Sequence, residues 1–305
     1  MALVNLAMDR SRWLDGVGGK LWVSDLGPVD AEQTLLCLHG MRDHGESFRA
    51  LEREFPSARV VLPDLRGHGQ SDWTASYTLT EFAADLAAVL DQLEVSSIDL
   101  IGHSLGGHIA TRYAAAFADR VRRLVVIDGF GPPRSQHANS PIHLAEGARR
   151  EIEQRRLAPP SPRVMRDVAE ASMRLANNNP KLSQQEANRL AEYGVRSVRD
   201  GVVWRWDGHA QTIWSSFSHR DTELLLQAIK CPTLVVTGDD GLSYWLRMHP
   251  ELEGQQALYE AELKRRCDLI PNSQHWVVEG AGHMVHYDAP EQLYCGINEF
   301  LAKSH

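Results

Sequence analysis

Cysteine is scarce in this chain, with four residues among 305, and no two of them form a C-x-x-C pair. The sequence therefore lacks the paired cysteines of the common zinc and redox motifs. Cys37 and Cys231 lie in or beside apolar runs of the kind that form buried strands. We expect both to be buried free thiols.

Long apolar runs are absent as well. No stretch of about 18 uncharged apolar residues occurs, so we expect no membrane-spanning helix. Residues 1–10 contain no basic segment followed by a long apolar run, so we expect no signal peptide. The expected location is therefore the cytoplasm.

Basic residues are outnumbered by acidic ones, and the net charge is -8 with a pI near 6.0. Nucleic acid is an unsuitable partner for such a chain. We see no metal-ligand spacing and expect neither a metal site nor a cofactor. A hydrophobic content of 43% and a charged content of 24% are ordinary for a globular protein, and 305 residues can bury a large core. A small molecule is the expected partner.

The most informative segment is residues 102–106, which read Gly-His-Ser-Leu-Gly around Ser104. A short apolar run precedes it and a helix-prone segment, residues 107–116, follows it. This order predicts a strand, a sharp turn with the serine at its tip, and a helix. The flanking Gly102 and Gly106 suit a strained turn in which side chains would clash. The helix would aim its free N–H groups at the place where an oxyanion forms.

Apolar runs that end in polar or glycine-rich loops recur along the chain. We predict strands at residues 18–26, 35–38, 60–62, 98–101, 124–127, 232–238 and 275–278. Helices are predicted at residues 80–93, with Thr80 as N-cap, and at residues 290–301. Strands that alternate with helices predict an α/β fold with a mostly parallel twisted sheet covered on both faces. Polar residues directly after these strands should meet at one edge of the sheet.

The alternation changes after residue 131. Residues 132–223 show helical patterns, at 149–157, 163–176 and 183–193, but no convincing strand. This stretch holds 14 basic against 11 acidic residues, whereas the remainder holds 18 against 29. We therefore predict a core domain of residues 1–131 and 224–305, with residues 132–223 inserted as a helical cap.

Four motifs together resemble the α/β-hydrolase superfamily over nearly the whole chain. They are His39-Gly40, residues 64–71, the Ser104 segment and residues 280–283. The resemblance implies the α/β-hydrolase fold with a serine nucleophile and a helical cap. It says little about the substrate, because this fold hosts many chemistries.

Ser104 is the predicted nucleophile, and a serine hydroxyl needs an adjacent base. His283 is the predicted base because it lies in a glycine-flanked loop after the last strand, which matches the family's order of Ser, acid, His. His286 is the alternative base by the same positional argument. His39, His68 and His103 are expected to fix loops by hydrogen bonds.

The acid of the triad has two candidate positions. Asp128 directly follows a buried strand, and we favour it. The alternative is Asp240, or its neighbour Asp239, after the next strand. In many relatives the acid lies slightly later in that second loop, where this chain carries Gly241.

The resemblance also implies an oxyanion hole made of the N–H groups of Leu105 and Met41. Arg42, beside this hole, is either a contact for a substrate carbonyl or carboxylate, or a solvated ion pair with Asp43 or Glu46.

The expected function is a serine hydrolase that cleaves a carboxylic ester or related acyl bond of a small, apolar substrate through an acyl-enzyme. Hydrolysis of a C–C bond, thioester or lactone on the same fold remains an alternative. A non-catalytic protein that binds a ligand in a hydrolase-like pocket is another.

Overall fold

A computed structural model of the chain describes residues 9–131, 140–157 and 162–303. An eight-stranded sheet lies at its centre, in the order β1-β2-β4-β3-β5-β6-β9-β10. The strands are β1 (Arg12–Asp15), β2 (Lys20–Leu26), β3 (Thr34–Leu38), β4 (Arg59–Pro63), β5 (Ile98–His103), β6 (Val121–Ile127), β7 (Val195–Val198), β8 (Gly201–Trp204), β9 (Thr233–Gly238) and β10 (Ser273–Val278). β2 pairs antiparallel with β1 and β4, and the other strands of the large sheet are parallel.

Helices cover both faces of the sheet. They are α1 (Leu51–Glu54), α2 (Leu79–Gln92), α3 (Leu105–Ala116), α4 (Pro141–Arg156), α5 (Val168–Asn178), α6 (Gln184–Gly194), α7 (His219–Ala228), α8 (Gly241–Leu246), α9 (Gln256–Cys267), α10 (Val285–Asp288) and α11 (Pro290–Ala302), with short 3-10 helices at Gly45–Phe48, Gly208–Ser216 and Pro250–Leu252. None of these described helices has the length and apolar content to cross a membrane.

The central strands are apolar because both of their faces are buried. Every residue of β3, β4 and β5 is buried. Successive side chains of a strand enter opposite layers: Leu100 packs with α2 and α3, whereas Ile101 packs with α11. The predicted parallel sheet between two helical layers, and with it the α/β-hydrolase fold class, is confirmed.

The helix predicted from Thr80 begins one residue earlier, at Leu79, and its N-cap lies two residues before the predicted one. Thr78 is its N-cap: its hydroxyl accepts from the Glu81 N–H, and the Glu81 carboxylate accepts from the Thr78 N–H. This reciprocal capping box satisfies two donors that Thr80 cannot reach.

The inserted segment contains a strand pair that the sequence did not predict. β7 and β8 form an antiparallel hairpin, and Met165 bridges to Val202 at its edge. Each strand has only four residues, too few for the apolar alternation to stand out. The expectation that residues 132–223 contain no strand is therefore wrong. The inserted helical cap itself stays a prediction, and its predicted start at Pro132 lies outside the described residues.

Polar contacts hold the insertion against loops at the carboxyl edge of the sheet. The Tyr193 hydroxyl donates to Asp64 Oδ2 at 2.8 Å, and the Tyr77 hydroxyl donates to Asp207 Oδ2 at 2.6 Å. His44 Nε2–H donates to the Leu190 carbonyl at 3.1 Å. Residues 190–207 thus contact the loops that follow β3 and β4.

Candidate active site

Ser104 occupies the turn between β5 and α3 in a strained backbone conformation, with φ 50° and ψ -115°. A Cβ on Gly102 would lie 2.4 Å from the Gly106 carbonyl oxygen, and one on Gly106 would lie 2.2 Å from the Leu38 carbonyl oxygen. Only glycine fits at either position, as the motif predicts. The turn therefore projects the serine hydroxyl from the sheet edge.

His283 and Asp128 lie next to this serine. His283 Nε2 is 3.1 Å from Ser104 Oγ, and His283 Nδ1 is 2.6 Å from Asp128 Oδ2. A carboxylate only accepts hydrogen bonds, so the proton of the neutral imidazole belongs on Nδ1, which leaves Nε2 free to accept the serine proton. Three of the predicted site residues are thus within hydrogen-bonding distance in the order acid, base, nucleophile.

The alternative acids are placed elsewhere. Asp239 and Asp240 are exposed, and the Asp240 carboxylate accepts from the Ser243 hydroxyl rather than from His283. A Cβ on Gly241 would lie 3.7 Å from Asp128 Oδ2. The loop in which many relatives carry the acid therefore approaches the same point in space, and here the Asp128 carboxylate lies there.

Two aromatic residues at the His283 ring were missed by sequence reasoning. Tyr244 stacks on it with ring centroids 3.9 Å apart, and Trp245 meets it edge-on at 5.7 Å. Both belong to the short helix α8, directly after the loop that was searched for an acid. Their packing restricts rotation of the imidazole.

The predicted oxyanion donors belong to the Ser104 turn and to the neighbouring turn after β3, where a Cβ on Gly40 would lie 3.3 Å from the Ser104 Cβ. Leu105 is the first residue of α3, so its N–H has no partner within the helix. Met41 lies in a turn closed by the bond from the Asp43 N–H to the Gly40 carbonyl at 3.3 Å. Arg42, the next residue in that turn, has φ 64°.

Backbone strain is concentrated at this site. Arg42, Glu94, Ser104 and Asp128 are the non-glycine residues with positive φ in the described part of the chain. Three of these four lie at the sheet edge that carries Ser104, and only Glu94 lies away from it, in the turn after α2. Each such conformation costs on the order of 1–3 kcal/mol, which the surrounding structure must offset.

His39 and His68 act in loop structure, as predicted. His39 Nε2 accepts from the Leu65 N–H at 2.9 Å, and the His68 ring bonds to the Arg66 carbonyl at 2.9 Å. Burial lowers the pKa of His39 to about 3 and that of His68 to about 4. Both rings therefore remain neutral at ordinary pH.

His286, the alternative base, belongs to a buried polar cluster beneath the site. It stacks on Phe48 at 4.4 Å, and its Nε2 lies 3.6 Å from Asp43 Oδ2. Asp43 Oδ1 accepts from the Tyr287 hydroxyl at 3.1 Å.

His103 completes the cluster, and its Nε2–H donates to the His283 carbonyl at 3.0 Å. The cluster thus connects the turn of Met41, the Ser104 turn and the His283 loop.

The donor atoms of Asp43, His103 and His286 lie within 4.8 Å of one another, the one group of three such donors found among the described residues. Two imidazoles and a carboxylate are ligands that Zn²⁺ accepts. The group was not predicted because its members are far apart in sequence. His103 Nε2 is already bonded to the His283 carbonyl, so the cluster is partly satisfied without an ion.

We predict that Asp43→Asn lowers stability by about 3 kcal/mol near neutral pH, because it removes the charge that faces His286 in a buried setting. Burial raises the pKa of Asp43, but His286, His44 and His39 lower it more, so it lies well below its ordinary value. A depressed folded-state pKa adds stability that is complete above the unfolded pKa of about 4 and is lost as the pH falls below it.

Urea unfolding at a series of pH values measures this difference. The gap between wild type and Asp43→Asn should be constant above about pH 5 and should narrow below about pH 4. The exposed Asp239→Asn is the matched control and should differ from wild type by less than about 0.5 kcal/mol throughout. A gap that widens in acid would contradict the assignment.

Asp64 and Arg66 also have structural roles. Asp64 accepts from the N–H groups of Gly45 and Gln70 at 2.7 and 2.8 Å. Arg66 forms a buried ion pair with Asp85, with Nε 2.6 Å from Oδ2. These bonds brace the loops that surround the site.

Comparison with known proteins agrees with this fold. Residues 33–290 match the family model described as the alpha/beta hydrolase fold, so the chain belongs to this family. Membership of this family identifies it as a hydrolase.

Two relatives that align over most of this chain illustrate the range of the family. One, from Bacillus subtilis (strain 168), is named "Putative 2-succinyl-6-hydroxy-2,4-cyclohexadiene-1-carboxylate synthase"; it is 28% identical and the alignment covers 99% of both chains. The other, a serine hydrolase-like protein from Danio rerio, is 27% identical, with 93% of this chain and 84% of that protein covered.

Two solved structures show the same fold. The thioesterase domain from the curacin biosynthetic pathway has a TM-score of 0.80 and 23% identity, covering 95% of this chain and 99% of that one. E-2-(acetamidomethylene)succinate hydrolase has a TM-score of 0.77 and 24% identity, covering 97% and 100%. At this identity the likeness concerns the fold alone.

Proposed function

We propose that this protein is a serine hydrolase that cleaves a carboxylic ester or related acyl bond through an acyl-enzyme. One observation carries the proposal: His283 lies 3.1 Å from Ser104 Oγ on one side and 2.6 Å from Asp128 on the other. A serine hydroxyl is a weak nucleophile until a base accepts its proton, and this arrangement supplies an oriented base.

The reaction follows from these positions. Ser104 Oγ attacks the acyl carbon while His283 Nε2 takes the hydroxyl proton. The N–H groups of Leu105 and Met41 stabilise the oxyanion, and Asp128 stabilises the imidazolium. His283 then passes its proton to the leaving group. A water molecule, activated by the same imidazole, releases the acid and restores the serine.

Thioester and lactone hydrolysis use the same steps and differ in the leaving group. Cleavage of a C–C bond differs in that the leaving group departs through a carbon atom rather than through oxygen or sulfur. The Bacillus relative named as a carboxylate synthase is similar over its full length, which supports including non-ester substrates in any survey. A protein that only binds ligands has no need of an oriented base beside a strained serine.

The test is a panel of p-nitrophenyl acyl esters of graded chain length, together with a thioester and a lactone. We expect turnover of at least one ester by the wild type and a loss of about 10⁴-fold or more in Ser104→Ala. A folded wild type that turns over no member and resists a fluorophosphonate probe would favour the ligand-binding alternative.

The proposed cap gives a second expected result. Trp204, Trp206 and Trp214 lie in the insertion, and Trp214 packs edge-on against His108, on the helix that follows Ser104, at 5.2 Å. Replacing each by alanine should change the chain-length preference of the ester panel, because aromatic rings supply much of an apolar pocket wall. Variants that keep the wild-type preference and lose only stability would contradict a pocket role.

A further inference from the structure

Arg42 is a cation at the catalytic edge whose expected partners are engaged elsewhere. Asp43 is bonded to Tyr287 and the His44 N–H and faces His286. Glu46 pairs with Arg49 and Arg189. Within residues 9–131, 140–157 and 162–303, no carboxylate forms an ion pair with Arg42. The ion pair that the sequence allowed for this residue is therefore not formed.

The Arg42 guanidinium instead lies over the Trp206 ring, 4.9 Å from its centroid. Its charge also acts on Tyr244: burial raises the pKa of this phenol, and Arg42 and Arg247 oppose the rise. Tyr244 stacks on His283 with ring centroids 3.9 Å apart. The Arg42 charge therefore acts on a residue that contacts the proposed catalytic imidazole.

The backbone of Arg42 adds a separate argument. It is the third residue of the turn from Gly40 to Asp43, with φ 64°. A turn with positive φ at this position is formed most cheaply by glycine or asparagine. An arginine there is strained, and strained residues gather where a side chain has a function.

A second arginine joins Arg42 at a small cavity. Both Arg42 and Arg205 line a space of about 30 Å³ between the Gly40–Asp43 turn and the insertion, with Trp204 and Trp206 as further walls. Arg205 Nε–H donates to the Val195 carbonyl at 2.8 Å, and Arg205 forms no ion pair with a carboxylate in the described residues. Asp43 also lines the cavity, but its oxygens face the contacts given above.

From this arrangement we propose that Arg42 and Arg205 form an anion subsite that binds a carboxylate of the substrate, one residue along the chain from the oxyanion donor Met41. Guanidinium groups suit this role because their N–H groups match the two oxygens of a carboxylate. The chain has a net charge of -8, so a local cation is needed to hold an anionic substrate. The substrate class is then an acyl compound with a free carboxylate, a refinement that depends on the proposed hydrolase function.

Two matched pairs of esters test the subsite. The first pair is p-nitrophenyl hydrogen adipate and its neutral methyl ester, which differ by the acyl-side charge. The second is p-acetoxybenzoate and its methyl ester, which differ by the charge on the leaving group. The measured quantity is the ratio of kcat/KM for the anionic ester to that for the neutral ester.

We expect the wild type to favour the anionic member of at least one pair. Arg42→Gly keeps the turn conformation and removes the guanidinium. The ratio of kcat/KM should therefore fall by about tenfold or more, which corresponds to about 1.4 kcal/mol. The fall should come from slower cleavage of the anionic ester and not of the neutral one. Arg205→Gln should lower the same ratio. Arg42→Lys keeps the charge without the planar group and should lower it less.

Arg196→Ala is the matched control, because Arg196 is also an exposed arginine over a tryptophan ring, that of Trp73 at 5.4 Å. Its ratio should equal that of the wild type. If Arg42→Gly slows both esters of each pair equally, or if the wild type prefers the neutral esters, the subsite is overturned while the hydrolase proposal stands. If the wild type cleaves none of the four esters and fluorophosphonate leaves Ser104 unlabelled, the proposed function fails and the subsite fails with it.

Discussion

Ser104→Ala should lower kcat on the best ester of the panel by about 10⁴-fold or more and should abolish labelling by a fluorophosphonate. Removal of the nucleophile forces direct attack by water, which retains only the contribution of binding and of the oxyanion hole. The variant should fold normally, since Ser104 Oγ is bonded to His283 alone among the described side chains. The strain at φ 50° remains, because alanine has the same Cβ.

Mass spectrometry of the labelled wild type provides the control, because the adduct should map to Ser104 and to no other serine. KM for Ser104→Ala, where residual turnover allows its measurement, should change little compared with kcat. Retention of a tenth of the wild-type turnover with unaltered labelling would contradict the assignment of the nucleophile.

The fold was predictable because its signals are local. β3, β4 and β5 are wholly buried and consist mostly of apolar residues, and the loop after each carries a family motif. The β7–β8 hairpin was missed because strands of four residues give too little periodicity to recognise. Thr78 was missed as a cap although Glu81 lies three residues after it, which is the spacing of a capping box, whereas Thr80 has Ala83 at that position.

The site was predictable where a motif or a strand end marks it. Ser104 and His283 each lie in a recognisable segment. Tyr244, by contrast, contacts His283 only because β9 and β10 are neighbours in the sheet, so that the loops after them meet. The partners of Asp43 were hidden for the same reason, since Tyr287 and His286 are more than 240 residues away. Such contacts depend on tertiary packing, which no sequence spacing encodes.

The acid was marked by a strand end in the sequence, but choosing between its two candidates required the tertiary structure. Asp128 ends a rigid buried strand and has φ 41°, whereas Asp240 lies in an exposed turn before α8. The sequence left both open because each follows a strand of the same sheet. The order of strands in the sheet distinguishes the two candidates. β6 is adjacent to β5, and the Asp128 N–H donates to the Val236 carbonyl of β9 at 2.8 Å. The Asp128 carboxylate is therefore fixed between the serine and histidine loops.

Asp128→Asn should therefore lower kcat by about 10⁴-fold with little change in KM. The amide keeps the shape of the carboxylate, but its NH₂ group favours the imidazole tautomer with the proton on Nε2, which cannot accept from Ser104. It also cannot stabilise the imidazolium. Comparing the pH profiles of kcat/KM for wild type and variant would separate this loss from a folding defect, because only the loss of the acid alters ionisation of the base.

Asp239→Asn and Asp240→Asn are the matched controls, since both are exposed and neither carboxylate bonds to His283 in the described structure. Each should keep turnover within about threefold of wild type, as expected for surface substitutions. Near-normal turnover by Asp128→Asn together with collapse of Asp240→Asn would show that the loop after β9 supplies the acid. Because a Cβ on Gly241 would lie 3.7 Å from Asp128 Oδ2, that result would require the loop to move towards His283 during catalysis.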